Sequence, residues 1–212
     1  MEKTDFFVPS QYAQYELVEK KSRFIGQIWQ VHSEAEAKEK IQGVKKQYHD
    51  GRHHCFAYIL DDQLLRYSDD GEPQGTAGQP MLNLFQKEKI QQFCCVITRY
   101  FGGTLLGTGG LVRAYSHCAK GCLDSAGLST YEILSEFQVI TPYPQLEIVQ
   151  KVMGNWNAVE VALDYGVDVT LQIRVVEAEL FQKELIDQTS GKILVEFVGK
   201  VAELVPLLEK KE

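Results

Sequence analysis

Two apolar periodicities divide the chain into strands and helices. Short apolar or alternating runs predict strands, and apolar residues three and four positions apart predict helices. In the first 134 residues the strand-like runs are 15–19, 24–31, 54–60, 64–68 and 93–98. The last of these runs is apolar throughout, which is typical of a central strand buried on both faces. The third and fourth are separated by a short polar turn and predict a hairpin.

Three helices are predicted among these strands. Ser33 and Glu36 form a capping box before a weakly apolar face that ends near Tyr48. A short helix around residues 81–85 tolerates Pro80 only in its first turn. A third helix, 111–126, carries a regular apolar stripe and ends at a glycine.

The pattern restarts after residue 134. Residues 128–137 read as a last strand or a connector, and then strand and helix periods alternate in the order β-α-β-β-α-β, at 137–141, 143–156, 159–165, 167–175, 177–188 and 193–198. This order is that of the ferredoxin-like split βαβ. We therefore predict an α+β protein with two domains, 1–134 and 135–212.

Charge is distributed unevenly between these two parts. The chain has 212 residues and a net charge of −7, of which residues 1–134 carry −1 and residues 135–212 carry −6. An acidic balance argues against indiscriminate nucleic-acid binding. No run approaches the roughly 20 apolar residues of a membrane span, and the N-terminal segment lacks the pattern of a secretory signal. We expect a cytoplasmic protein with no membrane partner.

The five cysteines are expected to be buried thiols. Cys94 and Cys95 are neighbours in a predicted strand, so they point to opposite faces. Cys118 and Cys122 lie one helical turn apart, and no Cys-x-x-Cys pair occurs. We predict neither a metal site nor a cofactor.

Residues 99–115, Arg-Tyr-Phe-Gly-Gly-Thr-Leu-Leu-Gly-Thr-Gly-Gly-Leu-Val-Arg-Ala-Tyr, are the most informative segment. A glycine-rich turn between a buried strand and a helix directs backbone N–H groups and a helix N-terminus at one place, which suits an anion such as phosphate. Neither the Walker A nor the dinucleotide pattern is met, and close packing of helix on strand is the alternative. The candidate residues are Arg99, Gly102, Gly103, Gly107, Thr108, Gly109, Gly110 and Arg113.

Residues 68–78 form a second glycine-rich entry into a helix. Its carboxylates could bind a metal or move a proton, or they could bond nearby backbone N–H groups in a tight turn with Thr76 as a helix cap. The two loops could face each other. The candidates are Asp69, Asp70, Glu72, Gly75, Thr76 and Gly78.

A basic rim is the third candidate feature, formed by Lys45, Lys46, Arg52, His53 and His54. A cysteine nucleophile would need a histidine partner in hydrogen-bond reach. His54 and Cys55 are adjacent in a strand and face opposite ways, whereas His53 and Cys55 share a face. A cysteine hydrolase is therefore an alternative, but a poorly supported one. No complete catalytic set is present, which favours a non-enzymatic protein without deciding the question.

These motifs resemble the IMPACT family, in its bacterial YigZ branch, over about residues 15–130. The resemblance is carried by Lys-Ser-Arg-Phe-Ile from residue 21, His-His-Cys-x-Ala-Tyr from residue 53, Ser-Asp-Asp-Gly-Glu-Pro-x-Gly-Thr-Ala-Gly from residue 68, and the segment 99–115. The tail from about residue 136 resembles the small C-terminal domain of that branch. Gln79 departs from the basic residue expected after Thr-Ala-Gly.

The resemblance implies a fold and a biological setting. The first domain would share the α+β fold of GHMP kinases, a small-subunit ribosomal protein and domain IV of elongation factor G, and the second would resemble domain V of that factor. Eukaryotic relatives are linked to control of translation initiation through a protein partner. The leading hypothesis is a translation-associated protein that binds RNA or the ribosome, with a translation-regulatory protein as a further partner. The alternatives are a binder or enzyme for a phosphorylated metabolite or nucleotide at the same loop, and a protein-interaction module. The sequence leaves the oligomeric state open.

Overall fold

The computed structural model of the chain describes residues 4–207, so part of the N-terminal segment judged above not to be a secretory signal lies outside the described residues. These residues divide into two compact units, Asp5–Thr130 with Pro206 and Leu207, and Tyr131–Val205 with Thr4. Each unit combines helices with an antiparallel sheet, which confirms the α+β class. Within residues 4–207, none of the helices combines the length and the hydropathy that a membrane span requires.

The first unit contains a five-stranded sheet and three helices. Its elements in chain order are β1 (Val8–Pro9), β2 (Ala13–Glu19), β3 (Ser22–Gln30), α1 (Glu34–Gln47), β4 (His53–Ile59), β5 (Leu65–Ser68), α2 (Gly78–Lys87), β6 (Phe93–Tyr100) and α3 (Thr108–Ala126). The sheet order is β2-β3-β6-β4-β5, and all of its pairs are antiparallel. The hairpin of β4 and β5 is the one predicted.

The central strand of this sheet is β6, as its apolar run predicted. Cys95 and Ile97 belong to a core cluster that also contains buried side chains of α2 and α3. Cys94 and Val96 pack on the opposite face with α1. The sheet is therefore covered on both faces, and the two adjacent cysteines point to opposite sides, as expected from strand geometry.

Helix α1 begins at the predicted N-cap, Ser33, but Glu36 reaches back to the residue before the cap rather than to the Ser33 N–H. The Oγ of Ser33 accepts the backbone N–H of Glu36 at 3.2 Å, and the Glu36 carboxylate accepts the backbone N–H of His32 at 2.9 Å. Pro80 lies in the first turn of α2, where its missing N–H costs nothing.

The second unit has the β-α-β-β-α-β order. It comprises most of β7 (Leu128–Thr141), a short 3₁₀ turn (Tyr143–Gln145), α4 (Leu146–Asn155), β8 (Val159–Tyr165), β9 (Val169–Val175), α5 (Ala178–Gln188) and β10 (Leu194–Pro206). The strand order β10-β7-β9-β8 is that of a ferredoxin-like sheet. Residues 128–141 form one strand rather than two segments, because β1 pairs with its beginning and β9 with its end. The two-residue β1 was not predicted.

Candidate functional site

The N-terminus of α3 has no side-chain cap, so its first backbone N–H groups are open to an outside acceptor. Its N-cap is Gly107, which has a φ of +73° and no side chain to accept a hydrogen bond. The first helical hydrogen bond runs from the Leu111 N–H to the Gly107 carbonyl at 2.9 Å. Within residues 4–207, the N–H groups of Thr108, Gly109 and Gly110 have no protein acceptor. Such groups carry roughly half a positive charge at a helix N-terminus, and they attract anions.

A cavity of about 460 Å³ lies beside this terminus. The two glycine-rich loops both contribute to it: Gly71, Glu72 and Pro73 come from the loop of residues 68–78, and residues 105–108 come from the loop that leads from β6 into α3. His53 at the start of β4 and Arg52 before it also line the cavity, as do Arg99 near the end of β6, Phe101 just after it, and Leu111 of α3. The pocket thus joins several predicted site residues with apolar walls.

Arg99 is not an exposed cation at the mouth of this pocket. Its side chain is 6% exposed, and its Nη1 lies 2.6 Å from an Oε of Glu72, which is 3% exposed. The Tyr115 hydroxyl donates to the same Glu72 oxygen at 2.9 Å, and the Arg99 Nη2 donates to the Ser22 Oγ at 3.3 Å. The Nε of Arg99 is buried and has no hydrogen-bond partner among residues 4–207. The guanidinium is therefore held rigidly, and one of its donors is left unused.

The loop after β6 is fixed against the β2–β3 turn at Gly102. The Gly102 N–H donates to the Ser22 Oγ at 3.2 Å. A Cβ on Gly102 would lie 2.0 Å from the carbonyl carbon of Lys21, so only glycine permits this approach. Lys20 and Lys21 both adopt positive φ, 45° and 66°, a conformation that costs free energy in residues other than glycine.

A second, smaller cavity lies on the other side of the α3 N-terminus. It has a volume of about 230 Å³ and includes Lys20, Gly110, Arg113 and His117 in its lining. The Arg113 Nη1 is 3.5 Å from the position that a Cβ on Gly109 would take, so this guanidinium reaches back towards the open amides. The predicted residues Arg99 and Arg113 therefore flank the terminus from different pockets.

The carboxylates of residues 68–78 are engaged in local contacts. The Asp69 carboxylate accepts the backbone N–H groups of Gly75, Ala77 and Gly78 at 2.8–3.0 Å, so it caps α2 from nine residues before the helix. Thr76 is not the cap that the sequence suggested, because its hydroxyl donates to the Pro73 carbonyl at 2.6 Å.

Asp70 joins this loop to its surroundings. It accepts the His54 N–H at 2.7 Å and pairs with Lys45 Nζ at 2.9 Å. Burial alone would raise the pKa of Asp70, but these two contacts outweigh it and hold the pKa below its usual range. Within residues 4–207, no group of three or more His, Cys, Asp or Glu residues is arranged to hold a metal ion.

The predicted basic rim separates into different environments. The His53 Nδ1 contacts the Asp70 carbonyl at 2.8 Å, so its N–H donates there while the ring lines the larger cavity. His54 is buried against the Thr98 hydroxyl, and burial lowers its pKa, which keeps the ring neutral at pH 7. Lys45 is paired with Asp70, and Lys46 is exposed without lining the cavity. Arg52 is the exposed cation that remains at the pocket.

Cys55 lies in the core, in contact with the loop of residues 68–78. Its thiol donates to the Asp69 carbonyl at 3.0 Å and contacts the Tyr115 hydroxyl at 3.3 Å. Burial raises the pKa of Cys55 well above its usual value, so the reactive thiolate is disfavoured.

Four contributors were not singled out from the sequence: Ser22, Phe101, Lys20 and Tyr115. Ser22 and Lys20 are distant in sequence from the glycine loop, and only strand pairing brings them beside it. Phe101 lies inside the glycine-rich segment. An aromatic residue in such a turn was the sequence signal that could have identified it as a site residue.

Two protein-family models match the sequence of this chain. Residues 20–123 match the Impact N-terminal domain, and residues 139–192 match a domain of unknown function, DUF1949. The chain belongs to the IMPACT family.

Named relatives in that family are similar over most of the chain. YvyE of Bacillus subtilis is 34% identical over 88% of this chain and 88% of its own length. YigZ of Escherichia coli is 34% identical over 82% of this chain and 88% of its own length. A solved crystal structure of a hypothetical protein is 30% identical, covers 99% of this chain and 100% of its own, and has a TM-score of 0.58.

Proposed function

We propose that this protein is a non-enzymatic, translation-associated factor of the cytoplasm that binds phosphate groups of RNA at the N-terminus of α3. The open amides of Thr108, Gly109 and Gly110 are the observation that carries this proposal. A serine, threonine or aspartate at the N-cap would accept a hydrogen bond from one of these amides with its own side-chain oxygen. Glycine leaves them to an acceptor from outside the chain.

The charges around the terminus support an anion. Arg52 lines the larger cavity, and Lys20 and Arg113 line the smaller one together with Glu19. Exposed cations therefore outnumber exposed carboxylates on both sides of the helix end. Glu72 is the acidic residue that lines the larger cavity, and its charge is balanced by Arg99. Two pockets either side of one helix end suit a ligand with successive phosphates.

The acidic C-terminal part of the sequence disfavours indiscriminate binding of nucleic acid. Residues 135–212 carry a net charge of −6, and like charges repel a polyanion outside a specific contact. Membership of the IMPACT family supports placing the role in translation, since the resemblance links eukaryotic relatives to control of initiation. A protein of the translation machinery is the further partner that we propose.

The contacts of the carboxylates in residues 68–78 favour binding over catalysis. Asp69 caps a helix, Asp70 holds Lys45 and a backbone amide, and Glu72 holds Arg99. A carboxylate with such structural partners is a poor candidate for moving a proton or holding a metal. The raised pKa of Cys55 argues in the same direction for a thiol nucleophile.

The test is a titration of the full chain with a labelled single-stranded RNA across salt concentrations. Each phosphate contact contributes about −0.7 to the slope of log affinity against log salt for a single strand. We expect Arg113→Ala to weaken binding and to reduce the magnitude of the slope by about 0.7.

Arg66→Ala is the matched control. It removes the same charge at a residue outside the lining of both cavities, which pairs with Tyr58, five residues along β4 and so about 16 Å from His53. A slope near zero, or equal losses in both variants, would contradict phosphate binding at α3.

A further inference from the structure

The larger cavity has an aromatic wall that phosphate binding does not use. The Phe101 ring follows β6 directly and is 41% exposed. The Cζ atoms of Arg52 and Arg99 each lie 5.7 Å from its centroid. An exposed aromatic ring with arginines over it is the arrangement on which unpaired bases stack in RNA-binding proteins.

The ring is held in place from the buried side. Arg99 contacts Phe101 while its guanidinium is fixed by Glu72, and it also lies 5.5 Å from the centroid of the Phe24 ring. Phe101 therefore packs against a guanidinium that does not have to be ordered when a ligand arrives. Such preorganisation favours binding.

Arg52 is the movable member of this group. It is exposed and has a cation–π contact with Phe101. An exposed cation–π contact is weaker than the stack of a base on an aromatic ring. A base can therefore displace the Arg52 guanidinium and stack on the Phe101 ring. The guanidinium then stacks on the opposite face of the base.

The remaining walls suit a nucleotide. Pro73, Leu105, Leu106 and Leu111 supply apolar surface, and Thr108 places the open helix end in the same cavity. A volume of about 460 Å³ is within the range of roughly 300–1,000 Å³ for sites that take small molecules or single residues of a polymer.

From this geometry we infer that the cavity holds one unpaired nucleotide of a single strand, with its base between Phe101 and Arg52 and its phosphate at the N-terminus of α3. This inference rests on the proposed function and narrows its ligand to single-stranded segments. In a duplex the faces of the bases are stacked on each other, so no base face is available to stack on the Phe101 ring.

The experiment compares Phe101→Leu with Phe101→Trp in the full chain. Leucine keeps apolar bulk but removes the aromatic face, and tryptophan restores it. Tyr67→Leu is the matched control, because Tyr67 is an aromatic residue of similar exposure, 45%, on β5. Binding is measured with a short labelled single strand, with its duplex, and with adenosine monophosphate as a competitor.

We expect Phe101→Leu to weaken single-strand binding by roughly five- to a hundredfold, the effect of losing one base–aromatic stack. Phe101→Trp and Tyr67→Leu should bind as the unaltered protein does, and any residual duplex binding should be the same in all variants. A 2-aminopurine base in the strand should lose fluorescence on binding, and Phe101→Leu should abolish that loss.

Three results would overturn the inference. The first is unchanged single-strand binding in Phe101→Leu; if Arg113→Ala still weakens binding, phosphate recognition stands and only the stacking is refuted. The second is an equal loss of duplex and single-strand binding in Phe101→Leu. The third is competition by adenosine monophosphate at the affinity of the strand itself, which would identify a free nucleotide as the ligand.

Discussion

Replacing Gly109 with aspartate places a built-in anion at the proposed phosphate position, and asparagine at the same position is its neutral counterpart. Gly109 is exposed in the first turn of α3. The nearest atom to a new Cβ there is the Arg113 Nη1 at 3.5 Å, an ordinary contact. Both variants should therefore fold without displacing a neighbour.

The two substitutions should differ in stability by the charge alone. A carboxylate in the first turn of a helix adds about 0.3–1 kcal/mol through the helix dipole. Its pairing with Arg113 four residues later adds about 0.2–0.5 kcal/mol. The gain from removing glycine from the helix is shared by both variants. We expect the free energy of unfolding of Gly109→Asp to exceed that of Gly109→Asn by about 0.5–1.5 kcal/mol at low salt.

RNA binding should change in the opposite direction. Two like charges about 5 Å apart repel by roughly 3 kcal/mol at an effective dielectric constant of about 20. Allowing for screening by salt, we expect Gly109→Asp to bind RNA at least about tenfold more weakly than Gly109→Asn. Urea denaturation measures the stabilities, and fluorescence anisotropy with labelled RNA measures the affinities.

Opposite signs in the two assays are the critical result. Equal RNA affinities with a more stable aspartate variant would mean that phosphate does not occupy this helix end. Equal stabilities would mean that the amides are not available to an anion, and the physical basis of the site would be refuted.

Three further predictions concern the structure around the pocket. Glu72→Gln leaves the buried Arg99 guanidinium without its counter-charge, and we expect a loss of about 3–5 kcal/mol in unfolding free energy, measured by urea denaturation. Burial lowers the pKa of His54, so its contribution to stability is complete above about pH 6.5 and is lost as the pH falls below that value, where the unfolded ring binds a proton first. His54→Gln should flatten the fall in melting temperature between about pH 7 and 5. Gly102→Ala forces a Cβ into the Lys21 carbonyl, and we expect destabilisation of at least about 1–3 kcal/mol by thermal melting.

Each of these predictions has a result that would contradict it. A Glu72→Gln variant as stable as the unaltered protein would mean that Arg99 does not depend on its partner. An unchanged acid profile in His54→Gln would remove His54 from the acid response. Gly102→Ala should be compared with Gly109→Ala, where the same methyl group meets only a flexible side chain, and equal stability of the two would refute the close approach at Lys21.

Local pattern was sufficient for most elements of the fold. The apolar run of β6 predicted a central strand because a strand covered on both faces needs apolar residues at every position. The N-cap of α1 was readable because Ser33 and Glu36 lie within one turn of the helix. The order of elements after residue 134 predicted a ferredoxin-like sheet because each element buries one face at its own period.

Contacts between distant positions were not readable in this way. Asp69, rather than Thr76, caps α2, because the turn carries its carboxylate back to the helix start across nine residues. The early part of β7 was ambiguous because its partner, β1, is two residues long and lies far away in sequence.

The sequence by itself determined that a glycine-rich turn leads from a buried strand into a helix, because glycine, apolar runs and helical spacing act over a few neighbouring residues. Tertiary structure alone decided which charges reach that turn. It buried Arg99 against Glu72, placed Arg113 in a separate pocket with Lys20, and left Arg52 over Phe101. The physical reason is that burial and charge pairing depend on which strands lie side by side, and that is settled by the whole core rather than by any one segment.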